Sequence, residues 1–422
     1  METSVLRSRP LRALLAAEVI STSGAQMTWV ALPWFVLTTT GSATRMSLVM
    51  AAELIGLALA GLPGGWLIRR LGARRTMLVC DAVRGPVMLV VPVLHWLDAL
   101  PFTSLVATAF AIGGFSAPYF TASRVILPEL LGEDEGTMSQ ASALFQGATR
   151  ITLLLGPVTA GVLIGVIGAP AVLVVDAATY VVAMALVAFF VPATKPVAEQ
   201  GEDRGIMAGL RWVARDPLIR AWRLCFIVGD AAWQAIFVAL PVLVVARYDS
   251  DPRIVGALFA AFGVGAVLGN IAAYRLVRNV DGLRLIATVA LGQALPLWLL
   301  VFELPAWAAV GALFASGVAN GLINPSLHAI MTLRIPAALR PSVLTGLMTL
   351  HSLAMPIGLL GAGPLLDAYG VGPVFMGTAA IQTVAMAGLA LAAAVQTLMM
   401  AGIALAALRA RAVERPALAL ER

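Results

Sequence analysis

Apolar stretches of about twenty residues, each long enough to cross a bilayer as a helix, recur along the whole chain between short polar breaks. Cutting the chain at charged and Pro/Gly-rich positions predicts twelve such helices. They are predicted near 11–39, 43–68, 76–96, 100–122, 138–167 and 170–191, and then near 218–246, 253–276, 282–303, 305–330, 341–366 and 371–394. The pattern therefore predicts an all-α membrane protein with twelve transmembrane helices.

The longest polar segment, at 192–217, separates the two sets of six predicted helices. It divides the chain into an N-terminal half at 1–191, a cytoplasmic central loop at 192–217 and a C-terminal half at 218–422. Landmarks recur in the same order in both halves: residues 30–33 (Val-Ala-Leu-Pro) return at 238–241, Gly114 and Pro118 match Gly321 and Pro325, and Gly156 and Gly161 match Gly358 and Gly363. Such pseudo-symmetric parallel halves are typical of transporters that work by alternating access.

The composition excludes a water-soluble protein of this length. Hydrophobic residues make up 60% of the chain and charged residues only 12%, against about 25% charged residues in a typical soluble domain. The net charge of +6 would suggest nucleic acid as a partner of a soluble protein, but here the basic residues lie in the loops. We therefore expect a lipid bilayer, and no nucleic acid, around this chain.

The basic residues predict the orientation in the membrane. With both termini inside, only Arg45, Arg247 and Arg253 face outside and only Arg84 and Arg150 lie in helices, which leaves 23 of the 28 Lys and Arg residues on the cytoplasmic side. The positive-inside rule then predicts a multi-pass protein of the bacterial cell (inner) membrane with both termini cytoplasmic. The last apolar stretch is too long for one span, so we expect helix 12 to cross once and to continue as an extension.

The chain shows no motif for catalysis, metal binding or nucleotide hydrolysis. The sole lysine, Lys195, precedes a proline and so cannot belong to a Walker A loop, and His95, His328 and His351 are scattered along the chain. We expect no metal, no cofactor and no enzymatic activity. The energy for transport would come from an ion gradient or from a partner.

Several motifs together resemble the major facilitator superfamily, in its branch of bacterial enterobactin- and macrolide-exporter-like proteins. They are residues 31–34 (Ala-Leu-Pro-Trp) with 40–42 (Thr-Gly-Ser), the basic loop at 65–75, residues 123–130 and the central-loop segment at 209–218. The resemblance covers roughly residues 11–369. It implies a monomeric secondary transporter, most simply a proton-coupled exporter (antiporter) of a small, partly hydrophobic compound such as a drug, a natural product or a siderophore.

The loop between helices 2 and 3 departs from the pattern of that family, which usually has an acidic residue where this chain has Arg69. The resemblance implies a gating role for a group of residues in and near this loop: Gly65, Arg69, Arg70, Gly72, Arg74, Arg75, Asp81 and Arg124. Asp81 or Glu129 are the candidates to replace the missing acid. A solvated loop that only reports orientation is the equal alternative.

Ionisable side chains at membrane depth are expensive, which makes them functional candidates. Helix 1 carries a polar stripe and helix 7 a comparable one: Glu18, Thr22, Gln26 and Trp29, and then Asp230, Gln234 and Phe237. The resemblance implies that both stripes line a central cavity, so we predict that Glu18 or Asp230 carries the coupling proton. The alternative is that lipid headgroups solvate both acids.

Other intramembrane groups receive more specific expectations. On helix 5, Arg150 precedes Gly156, Pro157 and Gly161, and this stretch resembles the superfamily's antiporter signature. We expect Arg150 to bind an anionic substrate or an acidic partner. A purely structural ion pair is the alternative. Asn320 and Asn324, one turn apart on helix 10, are expected to face the cavity. Asp81 and Arg84 are spaced to pair with each other, Asp176 is expected to cap helix 6 or to meet headgroups, and Glu53 and His351 are the reserve candidates for the proton.

Two other functions compete with export. The first is an importer or facilitator of the same fold. The second is a polytopic membrane enzyme acting on lipid-linked substrates, which would need a cluster of acids at one membrane face. The chain offers one such cluster, Glu129, Glu133, Asp134 and Glu135, which we interpret as a solvated cytoplasmic loop.

Overall fold

A computed structural model describes residues 8–131, 135–193, 211, 213–277, 280–336 and 339–420. Within these ranges it describes the side chains except at 61–64, 135–137, 139, 340–342, 344–354 and 401–420. Most of the predicted central loop at 192–217 therefore lies outside the described residues. The same is true of the His351 side chain and of most of the acidic cluster at 129–135.

The described residues form helices joined by short loops, with no strand among them. The first six helices are α1 Arg9–Thr40, α2 Ala43–Leu71, α3 Ala73–Trp96, α4 Phe102–Leu131, α5 Glu135–Ile167 and α6 Ala169–Phe190. The last six are α7 Pro217–Arg247, α8 Pro252–Leu276, α9, α10 Ala306–Arg334, α11 Arg340–Tyr369 and α12 Val371–Leu420. The broken helix α9 joins the α-helical pieces Gly282–Val289 and Leu291–Ala294 to the 3₁₀ segment Leu295–Val301.

Ten of these helices, all but α1 and α11, are long and apolar enough within the described residues to cross a membrane. The helix order agrees with the twelve predicted segments, and most boundaries agree within a few residues. The largest differences are at α4, which continues to Leu131, and at α12. The predicted all-α architecture of two six-helix halves is confirmed.

Helix α12 is one continuous helix of 50 residues. At 1.5 Å per residue it is about 75 Å long, more than twice the roughly 30 Å of a hydrocarbon core. The predicted extension beyond a single span is therefore present as a continuation of the same helix.

The two halves meet along two helix pairs, α2 with α11 and α5 with α8. In the α5–α8 pair, Gly161 lies against Gly256 so closely that a Cβ on Gly161 would stand 2.8 Å from the carbonyl oxygen of Pro252. In the α2–α11 pair, a Cβ on Gly363 would stand 2.7 Å from the carbonyl oxygen of Ala43. Small residues allow this approach where helices cross in a membrane.

An acidic side chain joins the α2–α11 pair at the same end of the bundle. The Asp367 carboxylate of α11 accepts hydrogen bonds from the backbone N–H groups of Ala43 and Thr44, at 2.8 and 3.0 Å, and from the Ser42 hydroxyl at 2.8 Å. These donors form the N-terminus of α2, where N–H groups have no partner within the helix and a negative charge is favoured. We call this contact the Asp367 latch.

The contacts of α5 with α8 run toward the latch end. Leu154, Pro157 and Gly161 lie on the face of α5 that contacts α8. Arg150 belongs to the same face by helical spacing, one turn farther from the latch end. Its side chain is exposed, about one turn beyond the described contact of Leu154 with α8.

We predict that Gly161→Ala destabilises the protein, because the added methyl group meets backbone atoms that cannot move without separating α5 from α8. Overpacking of this kind costs about 1–3 kcal/mol. The midpoint of thermal denaturation in detergent should fall. Gly147→Ala is the matched control on the same helix, because nothing lies within 4 Å of its added Cβ. Equal midpoints for both variants would contradict the prediction.

Candidate functional site

The interior of the N-terminal half contains a buried guanidinium held by two aromatic rings. The Arg84 side chain of α3 has its central carbon 4.1 Å from the centroid of the Tyr119 ring and 4.5 Å from that of the Tyr180 ring. It also forms the predicted ion pair with Asp81, one turn earlier on α3. Both members of the pair are only 2% exposed. Ring faces attract a cation, and the attraction strengthens where water is excluded.

Glu18 of α1 lies beside this group, which we call the Arg84 cluster. It is 4% exposed, and Asp81, Arg84 and Arg124 are its charged neighbours. Its Oε2 atom is buried without a hydrogen-bond partner. In this structure the protein interior, rather than headgroups or bulk water, surrounds the carboxyl group of Glu18.

The expectation for Asp176 was wrong. Asp176 neither caps α6 nor meets headgroups; it lies inside the helix, fully buried, and accepts hydrogen bonds from the hydroxyls of Thr28 on α1 at 2.5 Å and of Thr179 at 3.3 Å. The physical reason is the close packing of α1 on α6 at Gly24, where any Cβ would collide with Asp176 and Thr179. Glu53 of α2 is half-buried and has Asp176 as its charged neighbour.

The C-terminal half contains a cavity of about 500 Å³ where α7, α8, α9, α10 and α12 meet. Aromatic and amide side chains dominate its wall, and a few charged groups join them. The lining includes Arg223, Phe226, Asp230, Trp233, Phe262, Gln293, Asn320, Asn324, His328, Met331, Gln382 and Met386. Drug-sized ligands occupy pockets of this volume and this mixed lining.

Three of the predicted cavity residues line this space: Asp230, Asn320 and Asn324. The amide nitrogen of Asn324 donates to the amide oxygen of Asn320 at 2.8 Å. Phe237 lies beyond the lining. Its ring contacts Trp233 edge to face and Phe259 at a tilt, at centroid distances of 5.4 and 5.3 Å. Gln234 is buried on the same helix but is not part of the lining.

Sequence reasoning missed several lining residues, among them Trp233, Phe262, Gln293 and Gln382. The two glutamines could have been found, because a glutamine within a long apolar helix is as unusual as an acid there. The aromatic residues carried no such signal, since aromatic side chains in a membrane helix are common.

The other predicted residues of the helix 1 stripe lie in environments different from that of Glu18. Thr22 is buried, and Trp29 packs against the hydrophobic core. Gln26 contacts α5 at Gly156, where any added Cβ would collide with the Cβ of Gln26. Gly156 and Gly161 thus bring α5 close to α1 on one side and to α8 on the other, with the Pro157 carbonyl against Gly256.

Arg150 is exposed on the face of α5 that contacts α8 nearer the latch, and it forms no ion pair with a described residue. The two predicted proton carriers lie in different places. Glu18 belongs to the Arg84 cluster, and Asp230 belongs to the cavity of the C-terminal half.

The basic loop between α2 and α3 turns at Gly72, whose φ of +80° favours glycine. Arg74 donates hydrogen bonds to the carbonyl oxygens of Ala188 at 2.6 Å and Val187 at 3.4 Å, in the last turn of α6, where carbonyl groups lack helical partners. Arg70 lies over the Trp66 ring at 5.2 Å.

The other predicted gating residues are placed differently. The Arg69 side chain lies 3.6 Å from the Cβ position of Gly65, and both Arg69 and Arg75 are exposed. Asp81 is paired inside the Arg84 cluster rather than with the loop, and Arg124 is a neighbour of Glu18.

A bundle of twelve helices in two halves, with a ligand-sized cavity in one of them, is the architecture of a membrane transporter of small molecules. The profile of the Major Facilitator Superfamily matches residues 14–358. The chain therefore belongs to this superfamily. It is a multi-pass membrane transporter and not an enzyme.

Its sequence is similar to two proteins called multidrug efflux pump Tap. The one from Mycolicibacterium fortuitum is 27% identical over 382 residues, which cover 87% of this chain and 91% of the relative. The one from Mycobacterium tuberculosis is 27% identical over 386 residues, which cover 88% of this chain and 90% of the relative.

Solved transporters have the same fold at low sequence identity. The nucleoside transporter NupG matches with a TM-score of 0.70 at 13% identity, over 90% of this chain and 98% of that protein. A bacterial homologue of the human lysosomal transporter Spinster, inward-facing and unoccupied, matches with a TM-score of 0.70 at 13% identity, over 93% of this chain and 98% of that protein.

We predict that Arg84→Gln strongly destabilises the N-terminal half, because Asp81 loses its ion-pair partner in a buried site. Removing one member of a buried ion pair costs about 3–5 kcal/mol. The double variant Arg84→Gln/Asp81→Asn should recover most of the loss, as measured by denaturation midpoints in a double-mutant cycle. Arg70→Gln, at an exposed arginine that also lies over an aromatic ring, is the control and should change little. A double variant no more stable than Arg84→Gln alone would refute the pairing.

Proposed function

We propose that this protein is a proton-coupled exporter of a small, partly hydrophobic compound, acting as a monomer in the bacterial inner membrane with both termini cytoplasmic. Residues 1–191 and 218–422 would form the moving halves, and residues 192–217 the loop between them. The names of the efflux pumps that it resembles support the outward direction.

The charge balance inside the N-terminal half is the observation that carries proton coupling. The buried charged residues among the described side chains are three acids and one base: Glu18, Asp81, Asp176 and Arg84. Arg84 pairs with Asp81, so among the described buried side chains Glu18 and Asp176 have no base of their own, and the cation named beside Glu18, Arg124, is exposed. An uncompensated buried charge costs several kcal/mol, and a proton on either carboxyl group removes that cost for the group that binds it. Asp176 already receives two hydroxyl hydrogen bonds. Glu18, with an unpartnered oxygen, is the best-supported proton carrier.

The arrangement of the halves supports alternating access. The Asp367 latch and the glycine contacts close one end of the bundle, and Arg150 is exposed toward the other end. In the orientation expected from the positive-inside rule the closed end is the outer one, so we infer that this conformation faces inward. We expect Arg150, the arginines of the α2–α3 loop, and the polar residues of α1, α7 and α10 to meet substrate or to move during the transition.

We predict that Glu18→Gln abolishes proton-driven efflux while expression and folding are retained. A glutamine resembles the protonated acid but cannot release a proton, so exchange stops even though substrate binding can persist. Asp230→Asn tests the corresponding acid of α7. The measurement is substrate flux in proteoliposomes under an imposed pH gradient, which also separates export from import and from facilitated diffusion.

Glu303→Gln, an exposed acid in a loop at the latch end, is the matched control and should transport at the wild-type rate. Coupling through Glu18 and Asp230 is ruled out if both single variants and the double variant pump at the wild-type rate between about pH 6 and 8. Glu53 and His351 would then be the next candidates.

We also predict that Asp367→Asn opens the latch end, because the amide removes the negative charge from the N-terminus of α2 and can accept only through its one oxygen. Spin labels at Ala99 and Glu303, exposed loop positions of the two halves at that end, should report longer distances in a background without the native cysteines. Asp249→Asn, at an exposed loop acid of the same end, should leave the distances unchanged. If Asp367→Asn also leaves them unchanged, the latch does not hold the closed state.

A further inference from the structure

The interiors of the two pseudo-symmetric halves are filled in opposite ways. In the N-terminal half, Arg84, Tyr119 and Tyr180 are each at most 2% exposed and pack against one another. In the C-terminal half, the corresponding region is the cavity of about 500 Å³.

Equivalent positions can be read from the helix bounds. Arg84 is eleven residues beyond Ala73, the first residue of α3, and Gln293 is eleven beyond Gly282, the first residue of α9. Tyr180 is eleven residues beyond Ala169, which begins α6, and Gln382 is eleven beyond Val371, which begins α12. Tyr119 and Ser326 each follow the proline shared by α4 and α10. The charged and aromatic trio of one half is thus replaced by Gln293, Ser326 and Gln382 in the other.

This replacement removes two rings and a guanidinium and leaves acceptors without partners. The Oε1 atom of Gln382 and the hydroxyl oxygen of Ser326 are buried and have no hydrogen-bond partner, in residues that are 2% and 5% exposed. Gln382 and Gly229 both line the cavity, and the Oε1 atom lies 3.2 Å from the Cβ position of Gly229. An acceptor left unsatisfied in such a place costs about 1–3 kcal/mol, which a donor supplied by a ligand would recover.

Two aromatic side chains of the cavity wall also offer a surface against which a ring of the ligand can pack. Trp233 and Phe262 both line it, and their centroids are 4.5 Å apart. Gln293 lies in the four-residue piece Leu291–Ala294 of the broken helix α9, and its carbonyl oxygen accepts a hydrogen bond from Ser316 at 2.6 Å. Broken helices beside a cavity are where transporters commonly place backbone and side-chain groups for substrate.

We propose that the cavity inside the C-terminal half is a substrate pocket for a ring compound that bears N–H or O–H donors. The ring lies against Trp233 and Phe262, and a donor reaches Oε1 of Gln382. The pocket is lined by residues of the C-terminal half alone, and it takes the place that the Arg84 cluster fills in the other half. This assignment rests on the proposed transport function and names the substrate chemistry that it serves.

The test compares two probes that differ only in their donors: ethidium, whose ring system carries two amino groups, and the otherwise identical phenanthridinium that lacks both. Affinities are measured by equilibrium dialysis with the purified full-length protein in nanodiscs without a gradient. The wild type should bind ethidium about tenfold more tightly than the analogue, which corresponds to one net hydrogen bond to a buried acceptor. Gln382→Leu should remove this difference.

A second variant and a control keep the outcome decisive. Gln382→Tyr restores the residue type of the filled half, so it should occupy the pocket and weaken the binding of both probes. Gln396→Leu, farther along α12 and outside the lining, should bind both probes as the wild type does. The proposal is overturned if the wild type shows no saturable ethidium binding, if it binds both probes equally, or if Gln382→Leu keeps the tenfold difference.

The same probes separate this proposal from the proposed export. If ethidium binds as expected but is not moved against its gradient in proteoliposomes, the export assignment is wrong and the pocket stands. If ethidium is exported and Gln382→Tyr exports it at the wild-type rate, the pocket assignment is wrong and export stands.

Discussion

The cost of holding a charge away from water governs the N-terminal half of this protein. Arg84 can remain charged in the interior because Asp81 pairs with it and two tyrosine rings cover its faces. Each of these groups comes from a helix that must then stay in place, so the cluster joins α3 to α4 and α6. The buried acids in and beside the cluster outnumber the buried bases among the described side chains, which is the observation behind the proposed proton coupling.

A second constraint is that the halves must be held together and still be able to separate. The contacts that join them use glycine, as at Gly161 and Gly363, and one exposed carboxylate, Asp367. These are close but small contacts, and the latch is a set of hydrogen bonds at a helix N-terminus that water can replace. One hydrophobic cluster also contains buried residues from both halves. An interface of this kind can open at one end without unfolding either half.

The two halves are similar in the arrangement of their helices but differ in the side chains that fill their interiors. Equivalent helices begin with equivalent geometry, as the positive φ values of Gly168 and Gly370 before α6 and α12 show. The side chains that these helices direct inward have diverged, to a packed charged cluster in one half and to a cavity with amide and aromatic walls in the other. The same arrangement of helices thus surrounds a charged, packed interior in one half and a cavity in the other.

The sequence by itself determined the class of protein, the number and approximate bounds of the helices, the repeat and the Asp81–Arg84 pair. These features depend on local properties: hydrophobic length, spacing of three to four residues along a helix, and charge placement in loops. Only the tertiary structure decided that Asp176 is buried against Thr28, that Asp367 joins the N-terminus of α2, and that Glu18 and Asp230 belong to separate sites. These contacts link residues more than a hundred positions apart or depend on which neighbouring helix covers a given face. No local pattern encodes that choice, because many helix arrangements bury the same apolar stretches equally well.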